Sequence, residues 1–197
     1  VVEKDVDLAQ DIFELDVPNL KARGVRTKAR TIIQDLLKVP PSLVRKFSKI
    51  NLCIDVMCVN RMGFLTSIGY PIYYRKTIHT EDGQAKTLHD CLDKVLRLCN
   101  NAGFRIDVIN CDNGFRAIMD RVSDGMDWCM NYMNAQDHEP KSERNNRTIK
   151  NQTRLGLHGI GYSAIPRLMI KELAVNATNK YNFFVAKKGT SDKYSPE

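Results

Sequence analysis

The sequence predicts a mixed α/β domain with a five-stranded sheet flanked by helices, and three observations predict it. Residues 50–59 form an almost continuous apolar, β-branched run, the mark of a central strand buried on both faces. Two more strand-like runs follow directly, after which the apolar period changes from two to three and four. From there strand-like and helix-like segments alternate, with no internal repeat and no low-complexity tract.

Residues 1–49 show neither period. A short acidic-apolar stretch, a basic loop around Gly24 and the Pro40-Pro41 break read as an arm or connector laid on a neighbour, leaving 50–197 as the domain. Residues 62–70 and 72–80, joined at Gly69-Tyr70-Pro71, add two strands and complete a meander. Over 84–101, Leu88, Cys91, Leu92, Val95, Leu98 and Cys99 recur on one helical stripe, and Gly103 ends it. Residues 104–111 read as a strand parallel to the first, because a helical crossover separates the two. A short helix (115–123), a strand (126–133), a polar helix (140–155) and a longer apolar helix (165–184) started by Pro166 complete the order βββαβαβαα.

Composition narrows the function classes. With 43% hydrophobic and 27% charged residues the chain is not disordered throughout, and 30 basic against 23 acidic residues give a net charge of +7. That excess favours a polyanionic partner, nucleic acid before a membrane surface. It is uneven: residues 50–137 hold 9 basic and 11 acidic residues, whereas 138–197 hold 11 and 5. An acidic centre beside basic segments suits a metal-dependent nuclease or phosphoryl transferase, where carboxylates hold cations and basic side chains hold phosphates. No run is long and apolar enough to span a membrane, and no secretory signal opens the chain, so the reading is soluble and intracellular. The six cysteines show no zinc spacing and read as buried reduced thiols. A start at Val1 rather than Met reads as a piece of a longer polyprotein.

Three carboxylates stand out. Asp55 lies within the most apolar stretch, where an ionised carboxylate needs a cation, a hydrogen-bond network or a metal. Asp112 ends a predicted parallel strand, the edge at which open sheets bind ligands, although Asp before Asn113-Gly114 also suits a simple turn cap. Glu143 opens the polar helix; at ~100° per residue, Arg147, Lys150 and Arg154 fall within about 40° of it. That stripe offers one metal ligand and a track for phosphates, or else an ordinary solvated face with an i,i+4 pair.

Taken together, Cys53-Ile54-Asp55-Val56-Met57, Cys111-Asp112-Asn113-Gly114 and Ser142-Glu143-Arg144-Asn145-Asn146-Arg147-Thr148-Ile149-Lys150 resemble the D,D,E catalytic core of retroelement integrases. The likeness runs over residues 50–197 and is nearest to copia-type retrotransposons, whose third motif reads E-R-x-N-R-T-hydrophobic. It implies an RNase H-like fold, Mg²⁺ or Mn²⁺ as a two-ion site with substrate, and 3′-end processing and strand transfer of element DNA. It further implies Asp55, Asp112 and Glu143 as catalytic metal ligands, and double-stranded DNA, both element ends and target, as partner. A homo-oligomer working in the nucleus after cytoplasmic assembly is implied too. The chain departs from the pattern in a short Asp112-to-Glu143 spacing, in lacking an acidic-aromatic pair after Gly114, and in having no upstream His-His-Cys-Cys module. Two other readings stand beside it: a DNA-binding remnant without catalysis, and a ribonuclease H, which would want a fourth carboxylate near the metals, where the helix after Glu143 offers only Glu172, far along.

Overall fold

The structure, a computed structural model, describes residues 41–116, 118, 129–133, 140–162, 164–186, 189–191 and 195–196. Most of the predicted arm, and most of the short helix predicted over 115–123, lie outside the described residues. Five strands form one mixed sheet: β1 (Lys49–Val59), β2 (Met62–Tyr70), β3 (Tyr74–Thr80), β4 (Arg105–Asp112) and β5 (Cys129–Met133), ordered β3-β2-β1-β4-β5. The most apolar run is central, as its burial requires. β1, β2 and β3 pair antiparallel in a meander, and β4 lies parallel to β1, with β5 parallel to β4. The α/β class with a mixed five-stranded sheet flanked by helices is therefore the one the chain adopts.

Among the described residues, four full helices accompany the sheet: α1 (Pro41–Lys46), α2 (Ala85–Asn101), α3 (Pro140–Gly159) and α4 (Arg167–Asn182). α2 carries most of the predicted stripe, burying Cys91, Leu92, Val95 and Cys99, but Leu96 rather than Leu98 completes it, packed against Ile50, Leu52 and Ile54 of β1 and Ile106 and Ile109 of β4. The opposite face packs Met57, Val59, Met62 and Phe64 against Ile149 of α3 and Ile170, Ala174 and Ala177 of α4. Gly156 lets α3 and α4 close together: a Cβ there would lie 3.0 Å from the Leu173 side chain.

Several local expectations are corrected. β1 is not buried on both faces along its whole length, since Asn51, Val56 and Cys58 are exposed. Its ladder with β4 ends at Cys53↔Asn110 while the strand continues to Val59, so its last residues overhang. Cys58 sits on that overhang and Cys129 on the edge strand β5; both are exposed, and only the other four thiols are buried. Burial pushes the Cys99 thiol up to about 11 and that of Cys111 to about 12. β3 starts at Tyr74 rather than at residue 72, because the chain first turns at Tyr73, whose φ is 62° and whose N–H donates to the Gly69 carbonyl at 2.6 Å. Pro166 precedes α4 as its N-cap with an extended ψ of 143° and does not begin the helix itself.

Candidate active site

Parallel register sets the first two carboxylates side by side. From the last ladder pair, Cys53↔Asn110, two residues further along each strand come Asp55 and Asp112. The Asn110 side-chain amide donates to the Cys53 sulfur at 3.8 Å, so these residues share a face, and the two-residue alternation returns Asp55 and Asp112 to it. That face is the one under α3 and α4. Asp112 is exposed; one of its oxygens accepts the Asn113 N–H at 2.7 Å and so begins the 3-10 turn Asn113–Phe115, after which the described residues Arg116 and Ile118 are helical, within the short helix predicted there.

Asp55 finds its compensation in amides rather than in an ion pair. Its Oδ1 accepts the Val56 N–H at 2.7 Å, and its Oδ2 accepts the Asn146 side-chain amide at 2.7 Å. Asn146 in turn accepts the Thr66 hydroxyl at 2.6 Å; Thr66 is the cross-strand partner of Asp55 on β2. A strand residue, its cross-strand neighbour and a helix residue thus lock together, with Thr66 and Asn146 both buried. Burial is the main influence on the Asp55 carboxyl and raises its pKa; the Val56 N–H opposes it, Asp112 and Glu143 raise it further, and Lys150 lowers it.

Because Asn146 is tied to Asp55, the helix position of Glu143, one turn earlier, and that of Lys150, one turn later, follow. Both act electrostatically on Asp55, so the structure brings Asp55, Asp112, Glu143 and Lys150 into one neighbourhood. Glu143, Arg147 and Arg154 are exposed on one shoulder of α3, and Lys150 is half-buried there. An open cleft of about 530 Å³ at the overhanging end of β1 is lined by both aspartates and also by Cys58, Arg61, Glu81 and Asp82. Arg61 is carried there by a two-residue hairpin in which Asn60 and Arg61 have φ of 48° and 62°. Gly63 forms part of the wall, where a Cβ would collide with the Thr80 hydroxyl.

Sequence reasoning missed Asn146, Thr66 and the acidic pair Glu81 and Asp82. A signal for Asn146 existed, since a polar side chain three residues after Glu143 returns to nearly the same helix face. Thr66 carried none without the strand register.

The donor chemistry fits hard divalent cations, which prefer carboxylate oxygen, and both aspartates keep lone pairs beyond the bonds described. Among the described residues no three His, Cys, Asp or Glu side chains stand close enough to share one ion. Mg²⁺ commonly needs only one or two carboxylates, the rest of its shell being water and substrate phosphate, so the Asp55 and Asp112 pair meets the requirement.

No family model matches the chain, and no curated protein does. Among solved structures it is similar to the catalytic core domain of BIV integrase in a crystal structure, with 11% identity and a TM-score of 0.49, covering 74% of this chain and 90% of that one. The mixed sheet and flanking helices described above agree with the RNase H-like architecture that the motif resemblance implies. The functional reading is carried by the side chains of this chain.

Proposed function

We propose that the chain is the catalytic core of a retroelement integrase, of the copia type by its third motif, performing metal-dependent 3′-end processing and strand transfer on double-stranded DNA in the nucleus. One observation carries the reading: the parallel register aligns Asp55 with Asp112, and Asn146 ties the helix bearing Glu143 to Asp55. Bound Mg²⁺ or Mn²⁺ would supply activation of the attacking oxygen and stabilisation of the leaving one at phosphorus. Asp55 and Asp112 would hold the cations, and Glu143 would serve as a further ligand. Asn146 and the Val56 N–H hold the Asp55 carboxylate in one orientation beside the cleft it lines. Lys150, Arg147 and Arg154 hold DNA phosphates along the shoulder of α3.

The test is joining of labelled element-end duplexes by the purified chain with Mn²⁺. Asp55→Asn, Asp112→Asn and Glu143→Gln are each expected to lower joining by several orders of magnitude while DNA affinity is kept or rises slightly. Full activity in any of the three reassigns the site, and DNA binding with no joining by the unmodified chain favours the non-catalytic remnant. Glu81 and Asp82, which line the cleft, give ribonuclease H a further carboxylate source, so an RNA–DNA hybrid belongs in the same assay.

A further inference from the structure

The other shoulder of α3 is also basic, and it points away from the carboxylates. The buried positions Ser142, Asn145, Asn146, Ile149 and Thr153 define the face that α3 lays on the sheet. At ~100° per residue, Glu143, Arg147, Lys150 and Arg154 lie to one side of that face, whereas Lys141 flanks it on the other and Arg144 lies on the outward back of the helix, close enough to act electrostatically on Tyr70. Lys141 and Arg144 reach the turn between β2 and β3. There the Lys141 ammonium lies 4.5 Å from the centroid of the Tyr70 ring, and Tyr70 meets Tyr73 edge-on with centroids 4.6 Å apart.

A third cation completes the cluster. Arg75, the second residue of β3, is half-buried, donating from Nε to Asn145 of α3 at 3.0 Å and stacking 5.4 Å from the Tyr181 ring of α4. Its main chain is clamped to Asn182, which accepts the Arg75 N–H and donates to the Arg75 carbonyl, both at 2.9 Å. Among the described residues no carboxylate pairs with Arg75, Lys141 or Arg144. Burial lowers the Arg75 pKa, as expected for a cation whose neighbours are amides and tyrosines rather than acids. Burial likewise pushes the Tyr70 phenol up to about 12. Three cations and an aromatic pair are thus brought together from β2, β3 and α3 with their charge uncompensated within the described fold.

We propose that Tyr70, Tyr73, Arg75, Lys141 and Arg144 form a second nucleic-acid site, gripping the backbone phosphates and an adjacent base of a DNA segment other than the one presented to Asp55 and Asp112. It rests on the reading of the chain as a DNA-joining core, a reaction that must hold two DNA segments at once. Its chemistry is that of single-stranded or frayed DNA recognition: basic side chains track phosphates, and tyrosine rings offer a surface to an unstacked base. α3 then works as a partition, with one DNA segment along each shoulder.

Photocrosslinking tests this on the unmodified chain. A duplex with a short single-stranded overhang containing 5-iodouracil is irradiated with the protein, and the adducts are mapped by mass spectrometry. The expected adduct lies on Tyr70 or Tyr73; it persists in Asp55→Asn and falls at least fivefold in a Lys141→Ala, Arg144→Ala variant that keeps the unmodified circular dichroism spectrum. The same variant should reduce the magnitude of the log K against log [salt] slope, by roughly 0.7 per lost contact on single strands. Adducts confined to the Arg147 and Lys150 side of α3, with none at Tyr70 or Tyr73, overturn the second site while leaving the joining core intact. Absence of any DNA-dependent adduct or binding overturns both readings. Adducts at the tyrosines from a chain that binds DNA but never joins it keep this surface and remove the catalytic reading.

Discussion

The two faces of the sheet are built by different means. Under α2, Ile50, Leu52, Ile54, Ile106 and Ile109 meet Leu92, Val95 and Leu96 in a wholly apolar contact. Under α3 and α4 an apolar cluster around Phe64 and Ile149 is flanked by polar anchors: Thr66 and Asp55 with Asn146, Arg75 with Asn145 and Asn182, and Thr77 with Thr178 at 2.6 Å. Apolar burial stabilises without fixing direction, whereas a hydrogen bond holds its partners in one geometry. The first face contributes chiefly stability. The second contributes position as well, and the carboxylates stand on it.

This division can be broken by substitution. Leu92→Ala, at the centre of the apolar face, should cost about 2–5 kcal/mol in denaturant unfolding and leave residual activity per folded molecule unchanged. Equal loss of specific activity would mean that the α2 face positions the site too. On the polar face, Asn146→Ala should cost about 1–3 kcal/mol, because it strips the amide from one Asp55 oxygen and leaves the Thr66 hydroxyl only the Asp55 carbonyl, 3.1 Å away. Its effect on joining should be far larger than that stability loss explains, and Thr66→Val should show the same imbalance in weaker form. A loss of joining that merely follows the folded fraction would reduce Asn146 to packing.

The pH dependence of stability sharpens the contrast further. Burial holds the folded pKa of Asp55 above its unfolded value, so the group's contribution to stability is present below the unfolded pKa and is lost as pH rises through the folded one. Asp55→Asn, which stays neutral, should therefore gain in Tm relative to the unmodified chain as pH rises through that range, with the difference shrinking in acid. A pH-independent difference would show that Asp55 is held charged without penalty. The smallest effect belongs to the exposed shoulder: Arg154→Ala should change stability by less than about 0.5 kcal/mol while reducing the salt dependence of duplex binding.

How much of this was legible follows from the same division. The α2 stripe repeats every three to four residues and the bounds of β2 follow from apolar content, so the sheet and its first helix could be read from pattern alone. The parallel pairing of β1 and β4 followed from the intervening helix, and with it the meeting of Asp55 and Asp112. The need for a partner at Asp55 was legible from its apolar surroundings, but the partner was not. Asn146 and Thr66 reach Asp55 through tertiary register, to which hydrophobic periodicity is blind. The same holds for Arg75 with Asn145 and Asn182, and for the overhang of β1 that exposes Cys58: each depends on where one element stops relative to another.

The central claim is that Asp55 and Asp112 act as one divalent-cation site, and the two amides that donate to them, Val56 N–H and Asn113 N–H, can report it directly. In a ¹H–¹⁵N spectrum, substoichiometric Mn²⁺ should broaden the Val56 and Asn113 signals together and ahead of most others. Asp112→Asn should weaken the effect at Val56 as well as at Asn113, because both carboxylates hold the same ions. Broadening scattered over other acidic residues, or broadening at Val56 that survives Asp112→Asn unchanged, would contradict the account.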